Sequence, residues 1–125
     1  MNVYRRMQGA FHAAGVPGFL QYWRPTRQYP KVPEIFATWE MKSDAPALCA
    51  DDGEMVLQLI TAEVHIWGVR DVGDACGALC RALADAGFDV ANRSDRMENR
   101  PDEWQYHTIL RVTILKQDEE DEDDG

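Results

Sequence analysis

Three histidines and three cysteines are the residues whose types could carry acid–base or metal chemistry in this chain. His65 and His107 each fall on the less apolar side of a long alternating stretch. If those stretches pair as neighbouring strands, the two imidazoles meet, and Glu63 or Glu103 can orient one of them. A hydrolytic or proton-transfer site would also need a nucleophile or a metal within hydrogen-bond reach. Ser43 and Ser94 are the only serines, and neither sits in a glycine-flanked elbow. The residues therefore favour histidines at a surface or interface over catalytic ones, and no catalytic residue is assigned.

Cys76 and Cys80 stand four apart in a helix-like stretch and could offer two ligands on one face. Structural zinc sites want four ligands at other spacings, and Cys49, His12, His65 and His107 are scattered. Both cysteines also fall on an apolar stripe with Leu79 and Leu83, where a thiol packs as a small hydrophobe. No metal is expected. Nor is a cofactor: Gly15-Val16-Pro17-Gly18 follows a helix, whereas a phosphate-cradling loop follows a strand and opens a helix. Asp51, Asp52 and Glu54 lack the alternating spacing of a calcium loop.

The aromatic residues point elsewhere. Trp67 and the group Tyr22, Trp23 and Tyr29 fit no core pattern, and Arg24 and Arg27 stand among the latter. Tyrosine, tryptophan and arginine are the side chains enriched at protein interfaces. Tyr22, Trp23, Arg24, Arg27, Tyr29, His65, Trp67 and His107 are the candidate interface residues, with an exposed sheet edge as a second docking surface.

These side chains must be positioned by a small set of elements. Residues 2–14 have helical apolar spacing, with Asn2 as cap and Gly15 as stop. Four prolines in 16–34 forbid a long regular element and leave room for a short strand over Phe19–Arg24. Residues 35–42 alternate as a strand, and 43–54 read as a turn-rich acidic loop. In 55–67, Val56, Ile60, Ala62, Val64 and Ile66 share one face, with Thr61, Glu63, His65 and Trp67 opposite. Residues 72–86 form an amphipathic helix, with Asp71 as N-cap and Gly87 at its end. A short strand over Phe88–Ala91, a polar segment 92–103 and a long strand over 104–115 complete the order. Strands joined without crossover helices imply an α+β fold. The expected sheet is mostly antiparallel, of four to five strands, with two helices on one face in the order α-β-β-β-α-β.

The 125 residues carry a formal net charge of −9 and suffice for one domain, placed at 1–117. Residues 118–125 hold seven acids and are expected to be a disordered acidic tail that solubilises the subunit. Residues 1–33 contain Arg5, Arg6, Arg24, Arg27 and Lys31 and no acid. The acidic balance of the rest disfavours ordinary DNA readout but allows one copy's positive part to meet a neighbour's negative part. No stretch approaches 18 apolar residues and no secretory signal is evident, and the few cysteines suggest a reduced, cytosolic setting.

The order of landmarks resembles the tail completion (tail terminator, or head–tail joining) proteins of long-tailed bacteriophages. The likeness lies in the N-terminal helix ending Gly15-Val16-Pro17, the segment Gln28-Tyr29-Pro30 leading to Phe36–Glu40, and the loop Ala50-Asp51-Asp52-Gly53-Glu54. It continues through Glu63-Val64-His65-Ile66-Trp67, Leu83-Ala84-Asp85-Ala86-Gly87-Phe88 and Trp104-Gln105-Tyr106-His107. It covers residues 1–116; the seven-acid terminus and the four tryptophans depart from it. The resemblance implies a virion assembly role and no reaction. Six copies would form a ring that caps the tail tube in the virion neck, after assembly in the host cytoplasm. Their partners would be each other, the tube protein and the head-completion or connector protein, with DNA passing through unread and no membrane involved.

Two other readings use different features. A small acidic decoy would occupy a basic site on a host protein through 118–125, so that deleting the tail abolishes its function. A ring subunit should tolerate that deletion. A small hydrolase around His65 and His107 would lose activity, and not assembly, on single alanine changes.

Overall fold

A computed structural model of the chain describes residues 2–49, 55–97 and 106–117. The elements run α1 (Val3–Ala14), β1 (Gly18–Leu20), β2 (Ile35–Cys49), β3 (Met55–Gly68), α2 (Gly73–Asp85), β4 (Asp89–Met97) and β5 (Tyr106–Gln117). The five described strands form one sheet in the order β1-β2-β3-β5-β4, antiparallel except for the β1–β2 pair. The fold is α+β with two helices, as the patterning predicts, and a further strand follows α2.

Both helices begin and end where their local chemistry dictates. The Asn2 side chain accepts from the Arg5 N–H at 3.0 Å, and Gly15, at φ 73°, closes α1 in the left-handed conformation. At α2 the cap position is Val72 rather than Asp71. Asp71 sits one residue earlier and still serves the helix start, accepting from the Gly73 N–H at 2.8 Å. Val72 takes the cap position with its side chain buried in the core. Gly87, at φ 96°, ends the helix as expected.

The apolar stripes of the helices meet one face of the sheet. Val3, Met7, Ala10 and Phe11 of α1 and Cys76, Leu79 and Leu83 of α2 are buried. They form one core with Ala37, Trp39, Ile60, Ala62, Val64, Ile66, Leu110, Val112 and Ile114. The two helices are also tied directly: the Arg6 guanidinium donates to the Ala86 carbonyl at 3.0 Å. Gly18 admits no side chain, because a Cβ there would lie 2.3 Å from the Phe11 ring.

Three strand boundaries differ from the sequence reading by more than two residues. The strand expected over Phe19–Arg24 ends at Leu20, because Gln21 adopts φ 72° while its N–H donates to the Trp39 carbonyl at 2.7 Å. The turn-rich residues 43–49, expected in a loop, extend β2 against β3. Shifts of register after Met41, Pro46 and Leu48 absorb the irregularity, and among the described residues no strand pairs with the outer edge of β2 beyond Trp39, an edge position of the kind where proline is tolerated. Residues 50–54 lie outside the described residues. The third change is β4, expected to stop at Ala91 but running to Met97. Among the described strands it is an edge, and its Asp95 accepts from the Thr108 hydroxyl at 2.8 Å and from Arg93 at 3.2 Å. Residues 98–105, which include Glu103 and Trp104, lie outside the described residues, as do 118–125. Among the described residues no helix is long and apolar enough to cross a membrane.

Candidate functional site

The face of the sheet opposite the helices carries the alternate residues of the same strands. On β3 these are Leu59, Thr61, Glu63, His65 and Trp67; Phe36, Thr38 and Glu40 lie beside them on β2, and His107, Ile109, Arg111 and Leu115 on β5. The register sets Phe36 opposite Trp67 and Trp67 opposite His107. His65 faces Ile109, so its contact with His107 is diagonal.

The candidate histidines meet, and Glu63 orients them. The His65 Nε2 lies 2.8 Å from Glu63 Oε1, and its Nδ1 lies 2.7 Å from His107 Nε2. The His107 ring lies flat on Trp67, with centroids 3.7 Å apart and planes 11° from parallel. The Trp67 indole N–H is directed at the Thr38 hydroxyl at 3.4 Å, which is long for a hydrogen bond. Proton counting limits the states of the pair. With His65 Nε2–H donating to Glu63, either His107 Nε2–H donates to a neutral His65, or an imidazolium His65 donates to His107 Nε2. Two imidazolium rings would place N–H against N–H, so the pair as arranged holds at most one positive charge.

Glu63 is the counter-charge. The hydrogen bond from His65 is the main cause holding its carboxyl below the usual range, with the charges of His65, Lys42 and Arg111 adding to it. Lys42 Nζ and Arg111 Nη2 lie 3.8 and 3.9 Å from the carboxylate. The arrangement can share or pass a proton along a carboxylate–imidazole–imidazole line. Among the described residues no three His, Cys, Asp or Glu side chains converge as metal ligands would.

The other candidates form a second group. Phe19 packs edge-on against Trp23, Tyr29 and Phe36, at centroid separations of 6.4, 6.0 and 6.3 Å. Trp23 and Tyr29 are thus half-buried anchors that hold the loop 21–34 over the β1–β2 end of the open face. Tyr22 stays 62% exposed, with the Arg24 guanidinium 5.4 Å from its ring centroid. Arg24 also donates to the Leu20 and Tyr22 carbonyls, and Arg27 is exposed in the turn closed between Thr26 and Tyr29.

Cys76 lies in the core, where burial first, and Cys80 next to it, push its thiol up to about 12. Such a thiol stays protonated at neutral pH and is a poor nucleophile or ligand. The sequence reading missed Leu59 and Leu115, which the register sets opposite each other on the open face, 38% and 52% exposed. The available signal was the appearance of leucine on the polar phase of both strands. No family model matches the chain, and no curated protein is similar to it in sequence.

Proposed function

We propose that this chain is a tail completion protein of a long-tailed bacteriophage, a structural subunit that closes as a ring of six on the tail tube and receives the head connector. The observation that best supports this reading is the one-sided sheet. Both helices cover one face, and the other presents an exposed leucine pair, a row of opposite charges and an aromatic–histidine cluster. A closed ring needs two different patches on each subunit. The open face supplies one, and the basic loop bearing Arg24, Arg27 and Lys31 supplies a second of different chemistry. In this reading the Glu63–His65–His107 line is part of the contact surface rather than a reaction centre, and the chain is not an enzyme.

Sequencing the DNA that flanks this reading frame tests the proposal. Long tails require a very long, mostly helical length-setting protein, recognisable by size and periodicity. The proposal expects such a frame a few genes downstream, beyond a small β-rich tube protein. Unrelated neighbours would overturn it and favour the acidic decoy, to be pursued by pull-downs with and without residues 118–125.

A further inference from the structure

We propose that the acidic run 118–124 of one copy docks on the cationic loop 22–31 of a second copy, a contact between neighbours at the β1–β2 end of the open sheet face, apart from its histidine and leucine clusters. The loop is a built surface. Phe19 anchors it through Trp23 and Tyr29, the Thr26 and Tyr29 backbones and the Thr26 hydroxyl close its turn, and Arg24 is fixed by two carbonyls. It presents Arg24, Arg27 and Lys31, and none of the three pairs with a carboxylate among the described residues. The first acid of the chain, Glu34, is turned to Arg70 at 3.4 Å. Three guanidinium or ammonium groups on an acid-free loop match a short run of carboxylates.

The reach of the tail selects the second copy. Gln117 ends β5 opposite Leu57. The loop folds over Phe19, which pairs with Thr38, and Thr38 pairs with His65. Leu57 to His65 is eight residues of β3, ~26 Å at ~3.3 Å each. Three strand-to-strand steps from β5 to β1 add ~14 Å at right angles, giving ~30 Å in all. The last acid of the run lies at most ~25 Å from Gln117 in a fully extended chain, and the middle of the run about half that. Only the last acids, with the chain fully extended, come within reach of their own loop, whereas a neighbour's loop can approach the whole run. The docking revises the expectation that deleting the tail is without effect on assembly.

The inference rests on the ring reading only for the presence of a neighbour, and cross-linking separates the two. Full-length chain is mixed in equal parts with its 15N-labelled form at low ionic strength and treated with a carbodiimide, which joins Lys31 to a touching carboxylate. Peptides joining Lys31 to 118–124 are expected, about half of them of mixed isotope. Their yield should fall at least about fivefold in 1 M salt, where the screening length is ~3 Å, and by a similar factor with excess free peptide of sequence 118–125. R24E/R27E, with Lys31 retained, should reduce it at least about tenfold; should that variant not fold, the salt and peptide arms still decide. Absence of the cross-link, or same-isotope products only, would overturn the docking. Mixed cross-links in a sample whose native mass shows only pairs or open chains would uphold the docking and sink the ring. Closed rings without the cross-link would do the reverse.

Discussion

The two faces of the sheet are built from alternate residues of the same strands, yet they are held by different physics. On the helix-covered face, Val64, Ile66, Leu110 and Val112 are fully buried against Met7, Phe11, Leu79 and Leu83, and the stabilisation is apolar and non-directional. On the open face, Glu63, His65, His107 and Trp67 are held by directed contacts of 2.7–2.8 Å and by stacking of the three rings on one another. A face made of directed polar contacts contributes less to stability and more to recognition. That difference accords with the proposal that the helical side carries the fold and the open side meets partners.

The contrast can be broken in graded steps. Leu79→Ala on the covered face should cost about 2–5 kcal/mol by removing a fully buried side chain from the core, read as a lower midpoint in urea denaturation. His107→Ala on the open face should cost about 1–2 kcal/mol, from the lost stack on Trp67 and the lost hydrogen bond to His65. A loss as large as that for Leu79 would mean that the open face also carries the fold. Smaller still, Leu115→Ser at a half-exposed site should change stability by no more than about 0.5 kcal/mol, while reducing ring formation scored by native mass.

The carboxylate on the open face adds a pH signature. The folded-state pKa of Glu63 lies below its ordinary value of 4.5, so the stability it contributes is fully present above that value. It is lost as pH falls through the lowered folded-state value. Glu63→Gln should therefore lose stability at neutral pH but show a shallower decline than the unaltered chain between about pH 5 and pH 3. Parallel declines, measured by urea midpoints across that range, would show that the His65 hydrogen bond does not hold Glu63 in its charged form.

What could be read in the sequence divides along the same line. Both faces of β3 and β5 were legible, because strict alternation around Val64 and Leu110 assigns every side chain once the strand is recognised. Helix ends were legible where one residue's chemistry sets them, at Asn2, Gly15 and Gly87. The meeting of His65 and His107 was legible only as a condition on strand pairing. The diagonal register that brings their nitrogens together depends on backbone ladders spanning residues far apart in sequence. The extensions of β2 past Lys42 and of β4 past Ala91 were hidden, because Ser43, Asp44, Pro46 and Arg93 have turn or surface character, and partner strands override it. Trp23 and Tyr29 looked like free interface residues, since nothing local reveals that Phe19 gathers them.

Electron microscopy of tail tubes shows what the whole chain builds. Purified full-length chain is incubated with tubes from the flanking genes and imaged. One six-fold ring is expected at one end of each tube, with the open sheet faces in contact between or beneath subunits. Tubes with bare ends at saturating protein, or density scattered along their length, would contradict it.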